Sequence, residues 1–203
     1  MLRPSKIVCV GKNYRDHAAE MGGEVPKEPL LFLKPPSSLI GAGEPIRRPP
    51  QSSHVEYEGE LGLVIGTRLC DATEAEGRAA IAGIVAVNDV TARDLQRSDS
   101  QWARAKGFDT FCPVGEVVPV PPVLEDVVVV TRVNGEERQR GRAGDMVYAI
   151  PMLLSYISRI MTLEPGDLVL TGTPAGVGPL VAGDQVEVEL LGLSRVANPV
   201  VDR

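Results

Sequence analysis

The chain has 203 residues, the size of one large domain, and 21 basic against 27 acidic side chains give it a formal net charge of −6. That balance offers no general electrostatic pull toward nucleic acid or an anionic membrane surface, and neither is expected as a partner. Apolar residues make up 43% of the chain, enough for a core, while 21 glycines and 17 prolines favour short strands and turns over a helical bundle.

Ile7–Gly11 is a short apolar run that ends at glycine and reads as a strand, followed by a short helix over 13–21 that Gly22-Gly23 would stop. Residues 26–50 are proline-rich, loop and edge structure around one apolar run, Leu30–Leu33. Glu56–Ile65 alternates as a strand does. Thr73 and Glu76 have capping-box spacing ahead of an alanine-rich helix that Gly83 would end. Ile84–Val87 predicts a strand that delivers Asn88-Asp89, and the polar segment from Ala92 to Lys106 reads as helical. Val127–Val133 followed by Asn134-Gly135 is the strongest hairpin signal. Pro151 suits the first position of a helix whose face is Leu153, Leu154, Ile157, Ile160 and Met161. Gly166-Asp167 and Gly183-Asp184 each open a strand and bracket the glycine-rich loop Thr171–Gly178. No linker divides the chain, so one unit over 1–203 is expected.

Cys9, Cys70 and Cys112 are odd in number and widely spaced, which predicts reduced core thiols and no zinc site. No stretch approaches the roughly 18 apolar residues of a membrane span, and Ile7–Gly11 is too short for a signal-peptide core, so a cytoplasmic location is expected. Nucleophile elbows, phosphate-binding loops and zincin helices are missing, and two histidines, His17 and His54, leave any metal chemistry to carboxylates.

Glu56, Glu58 and Glu60 are two apart, and on a strand they leave one face at intervals of about 6.6 Å. A hard divalent cation would remove their mutual repulsion; the alternative is a solvated strand face. Asp89, at the end of a buried strand, would be a third ligand or a turn residue. His17 and Glu20 are helical neighbours in which the carboxylate would orient an imidazole base, unless the pair is incidental. Lys106, Arg93 and Gln96 are donors suited to a carboxylate or developing oxyanion, and the 171–178 loop has N–H groups for an anion or simply forms a tight turn.

Gly11-Lys12-Asn13-Tyr14, then Asp16-His17-Ala18-Ala19-Glu20-Met21, Phe32–Pro35, Tyr57–Leu61, Asn88–Asp94, Lys106-Gly107-Phe108 and Leu170–Pro174 occur in an order that resembles the fumarylacetoacetate hydrolase family over nearly the whole chain. The likeness is to its short single-domain members, of the acylpyruvate hydrolase and oxaloacetate decarboxylase type. It implies an α+β, mostly β fold of mixed layered sheets with a few short helices, as a single catalytic domain and commonly a homodimer. It implies Mg²⁺ or Mn²⁺ held by Glu58, Glu60 and Asp89, with Glu56 spare. It also implies a water-activating dyad of His17 and Glu20, a catalytic lysine at Lys106, and substrate contacts at Arg93, Gln96 and Thr173. Lys12 departs from the Arg or Leu common at its position and falls outside that inferred chemistry.

The implied substrate is a small 2-oxo acid chelated through its carboxylate and keto oxygen. Cleavage of an acylpyruvate would give pyruvate and a carboxylic acid through a metal-stabilised enolate, and oxaloacetate would lose CO₂ by the same route. Two alternatives stand beside this. One is an isomerase or decarboxylase of hydroxylated dienoic diacids from aromatic breakdown; the other is a catalytically silent metal-binding paralogue. The acyl group would be set by loops around 22–30 and 97–102.

Overall fold

The computed structural model describes residues 2–20, 22–23 and 26–203; Met21 of the anticipated 13–21 helix lies outside the described residues. The chain runs through β1 (Ile7–Gly11), α1 (Arg15–Glu20), β2 (Leu30–Lys34), β3 (Leu39–Ile40), β4 (Ile46–Arg48) and β5 (Val55–Tyr57). It continues through β6 (Gly59–Ile65), α2 (Glu74–Ala79), β7 (Ile81–Asn88), β8 (Thr91–Ala92), α3 (Arg93–Ser98), α4 (Ala103–Lys106) and β9 (Cys112–Pro113). The last part holds β10 (Val128–Val133), β11 (Glu136–Arg142), α5 (Ile150–Ser158), β12 (Leu168–Leu170), β13 (Gly178–Pro179), β14 (Gln185–Leu190) and β15 (Ser194–Asp202). This is the α+β, mostly β arrangement of mixed sheets and short helices that the resemblance implies.

A central mixed sheet has the order β2-β1-β12-β6-β7, and a second has the order β11-β10-β14-β15-β4. Val8, Val10, Leu61 and Leu63 on one face of the central sheet pack with Val129, Val188 and Leu190 of the second sheet and with Leu153, Leu154 and Ile157 of α5. Its other face carries Ile7, Cys9, Val85, Val87, Leu168 and Leu170, covered by Leu39 and Cys112 of the β3–β9 pair. With both faces covered, β6 is buried along its whole length. Among the described residues, no helix is long and apolar enough to cross a membrane.

Local signals account for the turns and caps. Asn134 and Gly135 have φ of 54° and 82°, as a two-residue hairpin turn between β10 and β11 requires. Thr73 and Glu76 close the expected capping box on α2. That helix stops at Ala79, because Gly83 belongs to β7. The 92–106 segment is two helices rather than one, and α5 begins one residue before Pro151 and ends before Ile160, which is 55% exposed.

The largest departure concerns 56–65. Two strands stand where alternation suggests one, interrupted at Glu58, because β5 pairs with β8 and β13 while β6 pairs with β7 and β12. The three glutamates therefore do not share the face of a single strand.

Asp167 ties the start of β1 to β12. Its carboxylate accepts from Ser5 N–H and Oγ, from Lys6 N–H and Nζ, and from Glu164 N–H. Burial pushes its pKa up, but the hydrogen bonds from Lys6, Glu164 and Ser5 outweigh it and hold the group below the usual carboxylate range. A depressed carboxylate stabilises the fold fully above its unfolded pKa of about 3.9 and loses that contribution as pH falls through the lower folded value. Asp167→Asn should therefore lower the urea midpoint at pH 7, and its deficit against the unaltered chain should shrink toward pH 3.

Candidate active site

Strand register builds the centre. β6 and β7 pair with Gly59 opposite Asn88 and Glu60 opposite Val87, so Glu58 and Asp89 are neighbours one step beyond the ladder. Asp89 N–H donates to Glu58 O at 2.8 Å, and Glu58 N–H donates to Asn88 Oδ1 at 3.0 Å. One carboxylate oxygen from each of Glu58, Glu60 and Asp89 lies within 4.8 Å of the others, and all three residues are buried. Octahedral oxygens bonded to Mg²⁺ at about 2.1 Å stand roughly 3.0 to 4.2 Å apart, so a small closure would bring these three onto one ion.

The electrostatics point the same way. Glu60 accepts a hydrogen bond from Gly172 N–H at 2.6 Å, and no cation pairs with it among the described residues. Burial, then the charges of Asp89 and Glu58, push its pKa well above the usual carboxylate range. Glu58 is opposite in sign: burial would raise it, but Lys106 and Arg93 prevail and hold it well below that range. Lys106 Nζ bridges Glu58 Oε2 at 2.7 Å and Asp89 Oδ2 at 2.6 Å. Burial disfavours the Lys106 ammonium, and Asp89 and Glu58 more than restore it. With every carboxylate ionised, Glu56, Glu58, Glu60 and Asp89 would carry one negative charge more than the buried cations Lys34, Arg93 and Lys106 balance, and the raised pKa of Glu60 marks where that charge is uncompensated. An all-oxygen set carrying a surplus negative charge fits a hard divalent ion.

A surrounding layer fixes these ligands. Lys34, fully buried, donates to Asp89 Oδ1 at 2.7 Å and to Val90 O at 3.1 Å. Arg93 donates from Nε to Glu56 Oε2 at 2.7 Å, from Nη2 to Glu58 Oε1 at 2.6 Å and from Nη1 to Gln96 Oε1. Glu56, left spare by the sequence, is thus the anchor of Arg93, and His54 Nε2 lies 2.7 Å from its other oxygen. Arg93 in turn holds Gln96 so that its amide N–H groups remain available, because the amide oxygen is the atom engaged.

Above this floor is a cavity of about 170 Å³ whose wall includes His17, Phe32, Glu58, Glu60, Gln96, Lys106 and Thr173. His17 and Glu20 meet as expected, with Nδ1 3.3 Å from Glu20 Oε2, which leaves Nε2 as the second ring nitrogen. Glu20 also accepts from Gly176 N–H. Gly176 has φ of 98°, and a Cβ there would lie 2.1 Å from Arg138 O, so no other residue fits that approach. The 171–178 loop therefore cradles the chain's own carboxylates, Glu60 through Gly172 and Glu20 through Gly176. Thr173 Oγ1 donates to Gly59 O at 2.9 Å and accepts from Gln139 Nε2 at 2.7 Å, so its proton is committed to the backbone.

Seven of the nine residues singled out in the sequence line this cavity; Glu20 and Asp89 do not, and join it through His17 and through Lys106. Lys12, outside the chemistry that the resemblance implies, lines the cavity, as do Arg97 and Trp102 at the two ends of the 97–102 loop. Lys12 directly follows the glycine that ends β1, and Arg97 is one helical turn after Arg93. Of the 22–30 loop expected to shape the acyl end, Glu24 and Val25 lie outside the described residues.

A mixed β fold with an all-oxygen cation site under a cavity, and a histidine–glutamate pair on its wall, defines the class of divalent-ion enzymes built on carboxylate ligands. The chain belongs to the fumarylacetoacetate (FAA) hydrolase C-terminal family, which it matches over residues 6–201. It is 44% identical over 197 residues to oxaloacetate tautomerase YcgM of Escherichia coli, covering 94% of this chain and 90% of that protein. It superposes with a TM-score of 0.92 and 46% identity on a 5-carboxymethyl-2-hydroxymuconate delta-isomerase from Mycobacterium smegmatis, covering all of this chain and 80% of that one. A fumarylpyruvate hydrolase from Pseudomonas aeruginosa, in complex with Mn²⁺ and pyruvate, superposes with a TM-score of 0.92 at 31% identity, covering all of this chain and 91% of that one.

Proposed function

We propose that the protein relocates a proton at carbon 3 of an enolisable 2-oxo acid, with the keto and enol forms of oxaloacetate as the pair it interconverts. The observation that carries this is the His17–Glu20 base on the wall of the same cavity that Glu58, Glu60 and Lys106 line. A divalent ion at Glu58, Glu60 and Asp89 would supply Lewis-acid polarisation of the 2-oxo group and offset the charge of its carboxylate. His17, oriented by Glu20, takes the carbon 3 proton through Nε2, and the imidazolium so formed gives a proton to the 2-oxo oxygen to complete the enol; the same two transfers run backwards from enol to keto form. Lys106 places its ammonium beside the oxygen on which negative charge develops, and Gln96 offers amide N–H groups to the carboxylate. The 44% identity with an oxaloacetate tautomerase and the 46% identity with an isomerase support a reaction that moves a proton and breaks no C–C bond.

Acylpyruvate hydrolysis is the second reading, favoured by the same dyad. His17 would draw the proton from water, the oxygen would attack the distal carbonyl, and the C3–C4 bond would break to give pyruvate and a carboxylic acid, with carbon 3 reprotonated. Loss of CO₂ from oxaloacetate would reach the same three-carbon product without water. The deciding experiment follows deuterium incorporation at carbon 3 of oxaloacetate in D₂O, alongside pyruvate release from acetylpyruvate and fumarylpyruvate, with Mg²⁺ or Mn²⁺ and then with excess chelator. Metal-dependent exchange faster than any cleavage is expected. Faster cleavage would select the hydrolase, and no metal-dependent turnover of these or of a dienoic diacid would leave a silent metal-binding protein.

A further inference from the structure

β11 is a surface strand with one fully buried member. Glu136, Glu137, Arg138, Arg140 and Arg142 are exposed, whereas Gln139 is 1% exposed. A bulge aims it inward: Thr131 pairs with Gln139 and Arg132 with Glu137, so Arg138 has no partner across the β10–β11 ladder. In an unbroken strand Glu137 would share the inward face with Gln139. The bulge instead turns Glu137 to the surface, where it pairs with Arg140.

The buried amide makes three hydrogen bonds. Oε1 accepts from Gly59 N–H at 2.9 Å, and Nε2 donates to Thr173 Oγ1 at 2.7 Å and to Pro174 O at 2.8 Å. Its partners fix which way round it lies, because Gly59 N–H can only donate and Pro174 O can only accept. Gly59 stands between Glu58 and Glu60, where β5 gives way to β6. A Cβ there would be 1.9 Å from Thr131 Oγ1, so the hairpin and the joint that carries the two acids touch with no room for a side chain between them. Thr173 and Pro174 belong to the loop whose Gly172 N–H holds Glu60 and whose Gly176 N–H steadies Glu20. Gly176 in turn lies against the bulged residue, Arg138. One side chain thus ties the acids of the ion site to the segment that orients the base, without itself lining the cavity.

We propose that Gln139 is a positioning residue, which sets the placement of the His17–Glu20 base relative to Glu58 and Glu60 by locking the 171–178 loop to Gly59. This rests on the proposed role of that dyad. Proton transfer is sensitive to reach: a misplacement of about 1 Å can cost roughly 10²-fold in rate. Substrate is held by other groups, Lys106, Gln96 and the ion, and Gln139 bonds to neither of those side chains. Its loss therefore falls on kcat and spares KM.

The test is kcat and KM for deuterium exchange at carbon 3 of oxaloacetate with saturating Mn²⁺, beside pyruvate release from acetylpyruvate and the thermal midpoint. Gln139→Met has similar reach and makes none of the three bonds; its kcat should fall about 10- to 100-fold with KM within about twofold. Gln139→Asn keeps the amide but is one methylene short of spanning strand and loop, so it should lose kcat too, and it decides the matter if the methionine variant does not fold. Gly135→Ala is the structural comparison. Its φ of 82° strains the hairpin turn, yet a Cβ there meets nothing within 4 Å, so the midpoint should fall and kcat stay unchanged. The proposal is overturned if the Gln139 variants keep kcat, if KM rises in step with the loss, or if Gly135→Ala loses as much. If the unaltered chain releases pyruvate but exchanges nothing, the proton-relocation reading falls, and the same Gln139 losses are expected in pyruvate release, where the dyad also acts. Exchange at the unaltered rate in the Gln139 variants removes the positioning role alone, and neither activity in the unaltered chain removes both claims.

Discussion

His17→Ala is expected to lower metal-dependent turnover by about 10²- to 10⁴-fold, the contribution of a positioned general base, and to leave divalent-ion affinity unchanged. The asymmetry follows from position. His17 lies on α1, outside the Glu58, Glu60 and Asp89 set, and its recorded side-chain partner is Glu20. Glu20 is steadied from the far side by Gly176 N–H, so the base is held between a helix and the 171–178 loop. Glu20→Gln retains an oxygen for that N–H and removes the negative charge beside the ring, so it should slow turnover less than loss of His17 does. Calorimetric Mn²⁺ titration of the same variants checks the second half of the expectation. If His17→Ala keeps most of the rate, the dyad has no part in the reaction.

Much of the site was legible because it rests on short-range signals. The apolar run Ile84–Val87 ending in Asn88-Asp89 reads directly as a strand that delivers an acid, and His17 with Glu20 needs a single helical turn to meet. The hairpin at Asn134-Gly135 and the capping box at Thr73 are equally local. What failed was what depends on partners. The 56–65 segment alternates as one strand, yet its two halves join different sheets, and the switch at Glu58 is set by strands far away in sequence. Lys34 sits in a plain apolar run, and only the fold shows it buried against Asp89. The resemblance leaves Glu56 spare, and its bond to Arg93, 37 residues away, shows only in the fold. Lys12 falls outside the chemistry that the resemblance implies, and its left-handed backbone, which turns on Asn13 bonding to residues 148 and 171, has no local signal.

The central claim is that Glu58, Glu60 and Asp89 hold one divalent ion, and Glu60→Gln separates it from general stability. Glutamine keeps the shape and an oxygen for Gly172 N–H, while it removes a charge that burial, Asp89 and Glu58 all oppose. Without added metal the variant should therefore unfold at the same temperature as the unaltered chain or higher. With Mn²⁺ at about 100 times its Kd, the unaltered chain should gain roughly 2.7 kcal/mol, and the variant should gain nothing at that concentration. The decisive measurement is Mn²⁺ titration of both proteins followed by calorimetry and thermal unfolding. The account predicts one ion per chain, lost in Glu60→Gln together with the thermal shift; equal Mn²⁺ affinity in the two proteins would contradict it.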